Sequence, residues 1–383
     1  MAGKKLKKKI VKKAENKPVL KKKADKKAPA KKATKAKKTT KKGDDEKSLS
    51  LLDQIEAKIQ KDHGVEAVSR MGKAKNVPVA FSTGVPQLDS AIGIGGYPNN
   101  RIIEIFGPES SGKTTLALHA IAECQKNGGA AAFVDAEHAL DTVYAENLGV
   151  DLTELLIAQP NSGEQGLDVV HSCLKINKLC YKPGVSPPNI VIVDSVAALT
   201  PKSEIEGEIG DPSVGVQARM MSQALRKICT ALANSNTVLI FINQTRAKLD
   251  FNWGAKTNTT GGNSLKFYAS IRIDIRRIGM EKDKKDDKSP SGNKTLVKVV
   301  KNKVGSPFVE FEGVIRFGVG FDDSRSDYER LLKHPEVESK GAGGSRITLP
   351  DGRKFCGFKE YREFISDEEN SKYIHSLLSS GEV

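Results

Sequence analysis

The sequence predicts an α/β domain with a mainly parallel central sheet flanked by helices. Four apolar runs carry that prediction: Ile102-Ile103-Glu104-Ile105-Phe106, Ala130–Val134, Ile190–Val193 and Val238–Ile242. Each is nearly continuous rather than alternating, as strands buried on both faces are. Helical segments lie between them, which is the order of strands joined by crossover helices. In such sheets chemistry collects at the C-terminal strand ends. Here those ends are a glycine turn after Phe106, then Asp135, Asp194 and Asn243.

Ahead of the sheet the composition changes twice. The formal charge of the 383 residues is +15, but residues 1–42 hold 20 Lys against Glu15 and Asp25, a net of +18, so residues 43–383 carry −3. The basicity belongs to a tail, residues 1–47, of Lys, Ala and Thr with Pro18 and Pro29. Such a composition cannot bury enough apolar area to offset the entropy of ordering, and it is expected to be disordered. It suits either a polycation that contacts phosphates without reading sequence or a solubilising tail. From Ser48 the spacing of Leu49, Leu52, Ile55 and Ile59 predicts a helix with Ser48 as N-cap and Gly64 as its end, then a short strand at Val65–Val68. This helix and strand either dock on a neighbouring copy as an added edge strand or pack back on their own domain.

Turn signals at Ser82-Thr83-Gly84, Gly93, Gly95-Gly96 and Pro98-Asn99-Asn100 lead into the first core strand. That strand runs into Gly107-Pro108-Glu109-Ser110-Ser111-Gly112-Lys113-Thr114-Thr115, and a helical pattern follows over Leu116–Gln125. Strand, glycine-bounded turn and helix give G-x-x-x-x-G-K-[ST] the context of a phosphate-binding loop. Gly107 and Gly112 let several N–H groups face one anion at the positive end of a helix. Lys113 is placed to reach β- and γ-phosphate oxygens, and the Thr114 hydroxyl to ligate Mg²⁺. ATP with Mg²⁺ is the cofactor pair this implies.

The later strand ends supply the rest of that chemistry. Asp194 fits the acidic residue that holds Mg²⁺, directly or through water. Glu137, two residues past Asp135, fits a carboxylate that orients or deprotonates water, while His138 beside it is read as structural. Gln244, just after Asn243, is placed to sense the γ-phosphate. No N-K-x-D pattern occurs, which argues against a signalling GTPase; Asn302-Lys303-Val304-Gly305 comes nearest and lacks the Asp.

Two stretches read as loops. Lys202–Gly215 is rich in Gly, Glu and Pro, with Arg219 and Arg226 on the helix after it. Thr245–Gly262 combines Arg246, Lys248 and Lys256 with Phe251, Trp253 and a Gly261-Gly262 hinge. Cations interleaved with aromatic rings suit a single nucleic-acid strand, phosphates on the one and bases on the other. A hairpin-like Ile347–Phe355 and a helix near Lys359–Ile365 close the chain. Five cysteines without a C-x-x-C pair argue against zinc and fit a reduced, cytoplasmic setting. No apolar run reaches signal-peptide or membrane-spanning length, so no membrane partner is expected.

Taken together, Gly107–Thr115, Phe133–Asp141, Val193–Pro201, Glu204–Asp211, Arg219–Gln223, Phe241–Gln244, Gly261–Asn263, Leu265–Ser270 and Lys301–Lys303 resemble the bacterial RecA recombinase family. The likeness is dense from about Arg101 to Gly279. It is looser over Ser48–Asn100 and from Lys301 to about Phe364, and absent from the lysine tail. The resemblance implies a RecA-like P-loop NTPase core at 81–317, an oligomerisation element at 48–80 and a small α+β C-terminal domain at 318–383. It also implies a DNA-dependent ATPase that forms a helical homo-filament on single-stranded DNA, pairs it with homologous duplex and exchanges strands in recombination and repair. Glu137 resembles the family's catalytic glutamate, and Asp141 and Tyr144 stand where adenine is contacted. Residues 202–215 and 245–261 resemble the two DNA-binding loops. Lys301 and Lys303 resemble the pair that reaches the γ-phosphate held by the adjacent subunit, with Phe267 at that interface.

The sequence departs from the family at Asn252 and Trp253, where a Met and a Phe are usual, and at Val214, where a Met is frequent. The linker Glu281–Asn293 is longer and highly charged, and no strongly acidic tail precedes Val383. Two other readings share parts of the pattern. A ring helicase of the same core would lack the match through both loops and Lys301–Lys303. A DNA-coating protein with a vestigial core would not need Lys113, Thr114, Glu137 and Asp194 intact.

Overall fold

A computed structural model describes residues 50–64, 67, 68, 70, 79–208, 215–247, 257–282, 289–341 and 346–380. The lysine tail lies outside them, as do Lys248, Phe251, Trp253, Lys256, Val214 and half of the expected strand at 65–68, whose other two residues, Ala67 and Val68, are not in a strand. The chain divides into two units, residues 1–75 and 76–383.

In the first unit, α1 (Leu51–His63) starts at Ser50 rather than at Ser48. Ser50 Oγ accepts from Asp53 N at 3.2 Å while Asp53 Oδ2 accepts from Ser50 N at 3.0 Å. That reciprocal pair needs an acid three residues on, which Ser50 has and Ser48, with Leu51, lacks. Gly64, at φ 94°, ends the helix as expected. No residue of α1 is buried, and Leu51, Leu52 and Ile55 are exposed.

The second unit opens with β1 (Ala80–Phe81), α2 (Pro86–Ile92) and β2 (Tyr97–Pro98), the two strands pairing antiparallel. There follow β3 (Arg101–Gly107), α3 (Lys113–Lys126), β4 (Ala131–Asp135), α4 (Thr142–Asn147), β5 (Leu155–Ala158), α5 (Gly163–Cys180) and β6 (Asn189–Asp194). Next come α6 (Lys202–Ile205), α7 (Val216–Leu232), β7 (Thr237–Ala247), β8 (Thr257–Thr259), α8 (Ser264–Tyr268), β9 (Ile271–Glu281), β10 (Gly292–Asn302), β11 (Glu310–Arg316) and β12 (Gly320–Asp322). The sheet order is β12-β11-β10-β9-β3-β7-β6-β4-β5. From β9 to β5 neighbouring strands are parallel; β10, β11 and β12 add an antiparallel wing.

The four expected strands are the centre of this sheet, and their alternate residues serve opposite faces. Ile103, Ile105, Val238, Ile240 and Ile242 pack with α2 and α3, whereas Ile102, Leu239 and Phe241 pack with α5 and α7. Burial on both sides is why these runs read as continuous apolar sequence. The wing does not read that way. In β10 half-buried and exposed residues alternate with buried Thr295, Val297 and Val299, so no apolar run marks it.

The remaining elements are α9 (Ser324–Lys333), β13 (Glu338–Lys340), β14 (Arg346–Thr348), β15 (Lys354–Phe355), α10 (Gly357–Ile365) and α11 (Glu368–Ser380). They share a core of their own around Leu331, Ile347, Phe355 and Tyr361. The expected hairpin is present, Ile347 standing opposite Phe355. No helix among the described residues is long and apolar enough to cross a membrane.

Candidate nucleotide site

The loop between β3 and α3 is pinned by close backbone approach. A Cβ on Gly107 would stand 2.0 Å from the Ile275 carbonyl oxygen, so only glycine lets β9 pass there. Gly112 starts α3 at φ 100°, and a Cβ there would meet Ile315 Cδ1 at 2.1 Å. Inside the turn, Ser111 Oγ and Lys113 Nζ both donate to the Pro108 carbonyl, at 2.8 and 2.7 Å. Burial lowers the Lys113 pKa, against the opposing pull of Asp194, Glu137 and Glu109. The ammonium thus sits among carboxylates at the mouth of a curled, helix-starting backbone, an arrangement suited to a polyanion.

Thr114 Oγ1 donates to Asp194 Oδ2 at 2.7 Å, joining α3 to the end of β6. Burial raises the Asp194 carboxyl to about 6; Glu137 and Asp135 push the same way, and Thr114 and Lys113 oppose them. A hydroxyl beside a carboxylate is a hard-oxygen pair of the kind Mg²⁺ takes alongside phosphates. The residues present therefore fit a magnesium–triphosphate.

Beside it, β4 ends at Asp135, in register with Asp194. Asp135 accepts from Ala139 N at 3.2 Å and from Gln159 Nε2 at 3.2 Å, which folds the following turn over the strand end. His138, at φ 55°, completes that turn, and Glu137 is presented from it. Ser195 Oγ donates to Glu137 Oε1, and Gln244 Nε2 donates to the same oxygen at 3.1 Å. Glu137 Oε2 accepts no hydrogen bond among the described residues, so one oxygen is held while the other can take a proton.

The loop faces a cavity of about 300 Å³ lined by Ser110–Thr115, Tyr144, Asn293, Ile315, Arg316, Phe317 and Gly318. Tyr144 Oη lies 3.0 Å from Thr115 Oγ1, and Asp141 accepts from Tyr144 N at 3.0 Å, capping the helix that carries it. Phe317 and Gly318 were not expected from the sequence. They reach the cavity because β11 returns antiparallel beside β10, and an aromatic followed by a glycine at φ 76° is their only local signal.

Two groups of expected residues lie elsewhere. Lys301 stands opposite Arg272 on β9, two strands from β3. Its ammonium donates to the Lys266 and Phe267 carbonyls at 2.6 and 3.2 Å, and Lys303 donates to the Phe267 carbonyl at 3.4 Å. Glu104, level with Arg272, is three residues before Gly107. The lysine pair is thus about 10 Å below the loop along the strands and about 10 Å across them. It does not meet the loop of its own chain. Phe267 beside it is 75% exposed.

The other group surrounds α7. Arg219 and Arg226 are exposed and seven residues apart, so they project from the same side about 10 Å apart. Both expected loops contain regular structure. Lys202–Ile205 is helical, and β7 and β8 form an antiparallel stem with Thr245 opposite Thr259, which puts the Arg246 backbone within a strand. Propensity for turns hid the stem, since its strands are polar threonine-rich segments. Gly261 and Gly262, at φ 77° and 79°, return the chain against Val196 and Ala218, where an added Cβ would stand 2.8 Å from each side chain. The second loop therefore closes against the first turn of α7, next to Arg219.

The RecA N-terminal domain family matches residues 50–322. The chain is 48% identical over 346 residues to Protein RecA of Corynebacterium aurimucosum, covering 89% of this chain and 87% of that one. It is 50% identical over 348 residues to Protein RecA of Corynebacterium efficiens, covering 89% and 86%. Against Protein RecA of Brucella anthropi the identity is 50% over 332 residues, 85% and 87% of the two chains. On this extent of match, spanning the phosphate loop, Glu137, Asp194 and Gln244, the chain belongs to the RecA family.

Proposed function

We propose that the cavity above β3 is the ATP site of a DNA-stimulated ATPase, in a chain whose family membership makes it a recombinase. One observation carries the reading: Gln244, which holds Glu137 Oε1, is the residue before the β7–β8 stem of the basic, aromatic loop. A strand seated on that loop would shift β7 and, with it, the carboxylate that aligns water.

Mg²⁺-ATP, when bound, would supply the phosphoanhydride and a Lewis acid beside it. The chain's residues do the positioning. The N–H groups of residues 109–114 and Lys113 hold the triphosphate, and Thr114 with Asp194 hold the cation. Tyr144 and Phe317 border the base end, and Asp141 fixes the Tyr144 helix. Glu137 orients water and takes its proton on Oε2, while Ser195 and Gln244 keep Oε1 in place. Arg219, Arg226, Arg246, Lys248 and Trp253, with the Gly261-Gly262 hinge, are the residues we assign to contacting single-stranded DNA and the homologous duplex.

Lys301 and Lys303 complete the site from a neighbouring copy, since their distance from the loop of their own chain leaves them to serve another. The exposed Leu51, Leu52 and Ile55 of α1 and the exposed Leu156 and Ile157 of edge strand β5 are complementary apolar surfaces for such stacking. ATP is then an interface ligand, and hydrolysis follows filament assembly. The test is ATP turnover with and without a single-stranded oligonucleotide, together with strand exchange between circular single strands and linear duplex. Lys113→Ala is expected to abolish both. Turnover indifferent to oligonucleotide would overturn the reading.

A further inference from the structure

Glu104 interrupts the apolar sequence of β3 and is completely buried. Its two oxygens face opposite ways. Oε1 accepts from Asn243 Nδ2 at 3.0 Å, and Oε2 accepts from Arg272 Nε at 2.5 Å. Asn243 is itself a junction at the nucleotide end. Its Oδ1 accepts from Gln244 N at 2.9 Å and from Thr260 Oγ1 at 2.5 Å, and its Nδ2 also donates to the Thr260 carbonyl at 3.1 Å. Arg272 is at the other end, stacked 4.4 Å over the Phe106 ring and opposite Lys301 in the β9–β10 register.

We infer that Glu104 is a positioning residue for hydrolysis, the buried counter-charge that holds Arg272, Lys301 and Lys303 in place and ties them through Asn243 to Gln244. The inference rests on the reading that this lysine pair serves a neighbouring copy's nucleotide.

A carboxylate in the middle of a buried strand is costly even when paired, and an apolar side chain of similar volume would serve packing as well or better. Its value therefore lies in what it contacts. Three cations, Arg272, Lys301 and Lys303, meet at the start of β9 and the end of β10. Burial, Lys303 and Arg272 all lower the Lys301 pKa, and Glu104 is the anion that opposes them. The Lys266 and Phe267 carbonyls accept from the same ammonium and fix its direction. Without Glu104 the cluster has three like charges and no opposing carboxylate among the described residues, and Arg272 loses the partner that sets its orientation. The same loss frees Asn243 from β3 beside the sensor and the returning DNA loop.

The variant Glu104→Gln is expected to keep the wild-type KM for ATP, because its own loop is intact. Its DNA-stimulated kcat falls at least tenfold, and the alkaline limb of its kcat profile moves to lower pH as Lys301 deprotonates earlier. The double variant Glu104→Met/Arg272→Met replaces the ion pair by apolar volume and preserves folding where the single change does not. It is expected to show the same kcat loss at unchanged KM, and a wild-type kcat in it overturns the inference.

Mixed filaments separate this inference from the reading beneath it. Glu137→Gln subunits cannot turn over but still offer Lys301 and Lys303. Mixed with Lys301→Gln subunits they should restore hydrolysis, and mixed with Glu104→Gln subunits they should restore the part lost through the lysines, since the Asn243 tie to Gln244 is lost within the variant copy itself. Restoration in the first mixture only overturns the role of Glu104 alone. Restoration in neither overturns the supply of lysines between copies, and this inference with it.

Discussion

Gln244 Nε2 donates to Glu137 Oε1 at 3.1 Å across 107 residues of sequence, linking the end of β7 to the turn after β4. The contact gives the two side chains different jobs. Glu137→Gln removes the proton acceptor, so kcat should fall by about 10²–10⁴ in every condition. Gln244→Ala leaves the acceptor but cuts its tie to the DNA loop. Basal turnover is expected to persist while stimulation by single-stranded oligonucleotide is lost. Steady-state ATP hydrolysis with and without oligonucleotide checks both; equal stimulation in Gln244→Ala would remove the link.

His119 on α3 offers a pH test of the scaffold behind the loop. Its Nε2 accepts from Phe321 N at 3.0 Å, tethering α3 to β12, and burial lowers its pKa to about 4. The unfolded chain holds this histidine near 6.5, so between about 4 and 6.5 the unfolded state binds the extra proton. The stability is full above pH 6.5 and is lost as pH falls through the window, by roughly 3 kcal/mol at most. His119→Gln keeps an acceptor without titrating, and urea midpoints should show a flatter acid limb for it than for wild type.

What the sequence made legible is local. Lys113, Thr114 and Asp194 could be read because a nine-residue turn and a strand end fix their chemistry wherever the chain goes. Ser50 was missed by two residues because its cap depends on Asp53 answering it. The position of Lys301 follows from the register of β10 on β9, which shifts between Val299 and Lys301, and no pattern of residue types reveals such a shift. Phe317 reaches the cavity only through the return of β11. Glu104 sits in an apolar run with no local signal of its role, because its two partners are 139 and 168 residues away.

Gly107 tests the scaffold from the other side of the loop. The atom that a Cβ would meet at 2.0 Å is a backbone oxygen, which cannot rotate away. Gly107→Ala must therefore part β3 from β9 beside the phosphate cradle, at a cost of roughly 1–3 kcal/mol or more. The expected outcome is a lower urea midpoint together with loss of the stabilisation that added Mg²⁺-ATP gives the wild type. An unchanged midpoint would mean that the two strands part without cost.

The lysine tail gives the prediction that depends least on the site. Residues 43–383 carry a formal charge of −3, so the chain's excess of positive charge for a phosphate backbone lies within residues 1–42. Each phosphate neutralised contributes about 0.9 to the slope of log affinity against log salt on duplex DNA. If about six of the 20 lysines engage, deleting residues 1–42 should flatten that slope by about 5. The effect should be independent of duplex sequence, because phosphate contacts carry none. Titrations of a labelled duplex between roughly 50 and 200 mM salt measure it. A slope that deletion leaves unchanged would show that the tail makes no phosphate contacts, and its charge would then act on solubility alone.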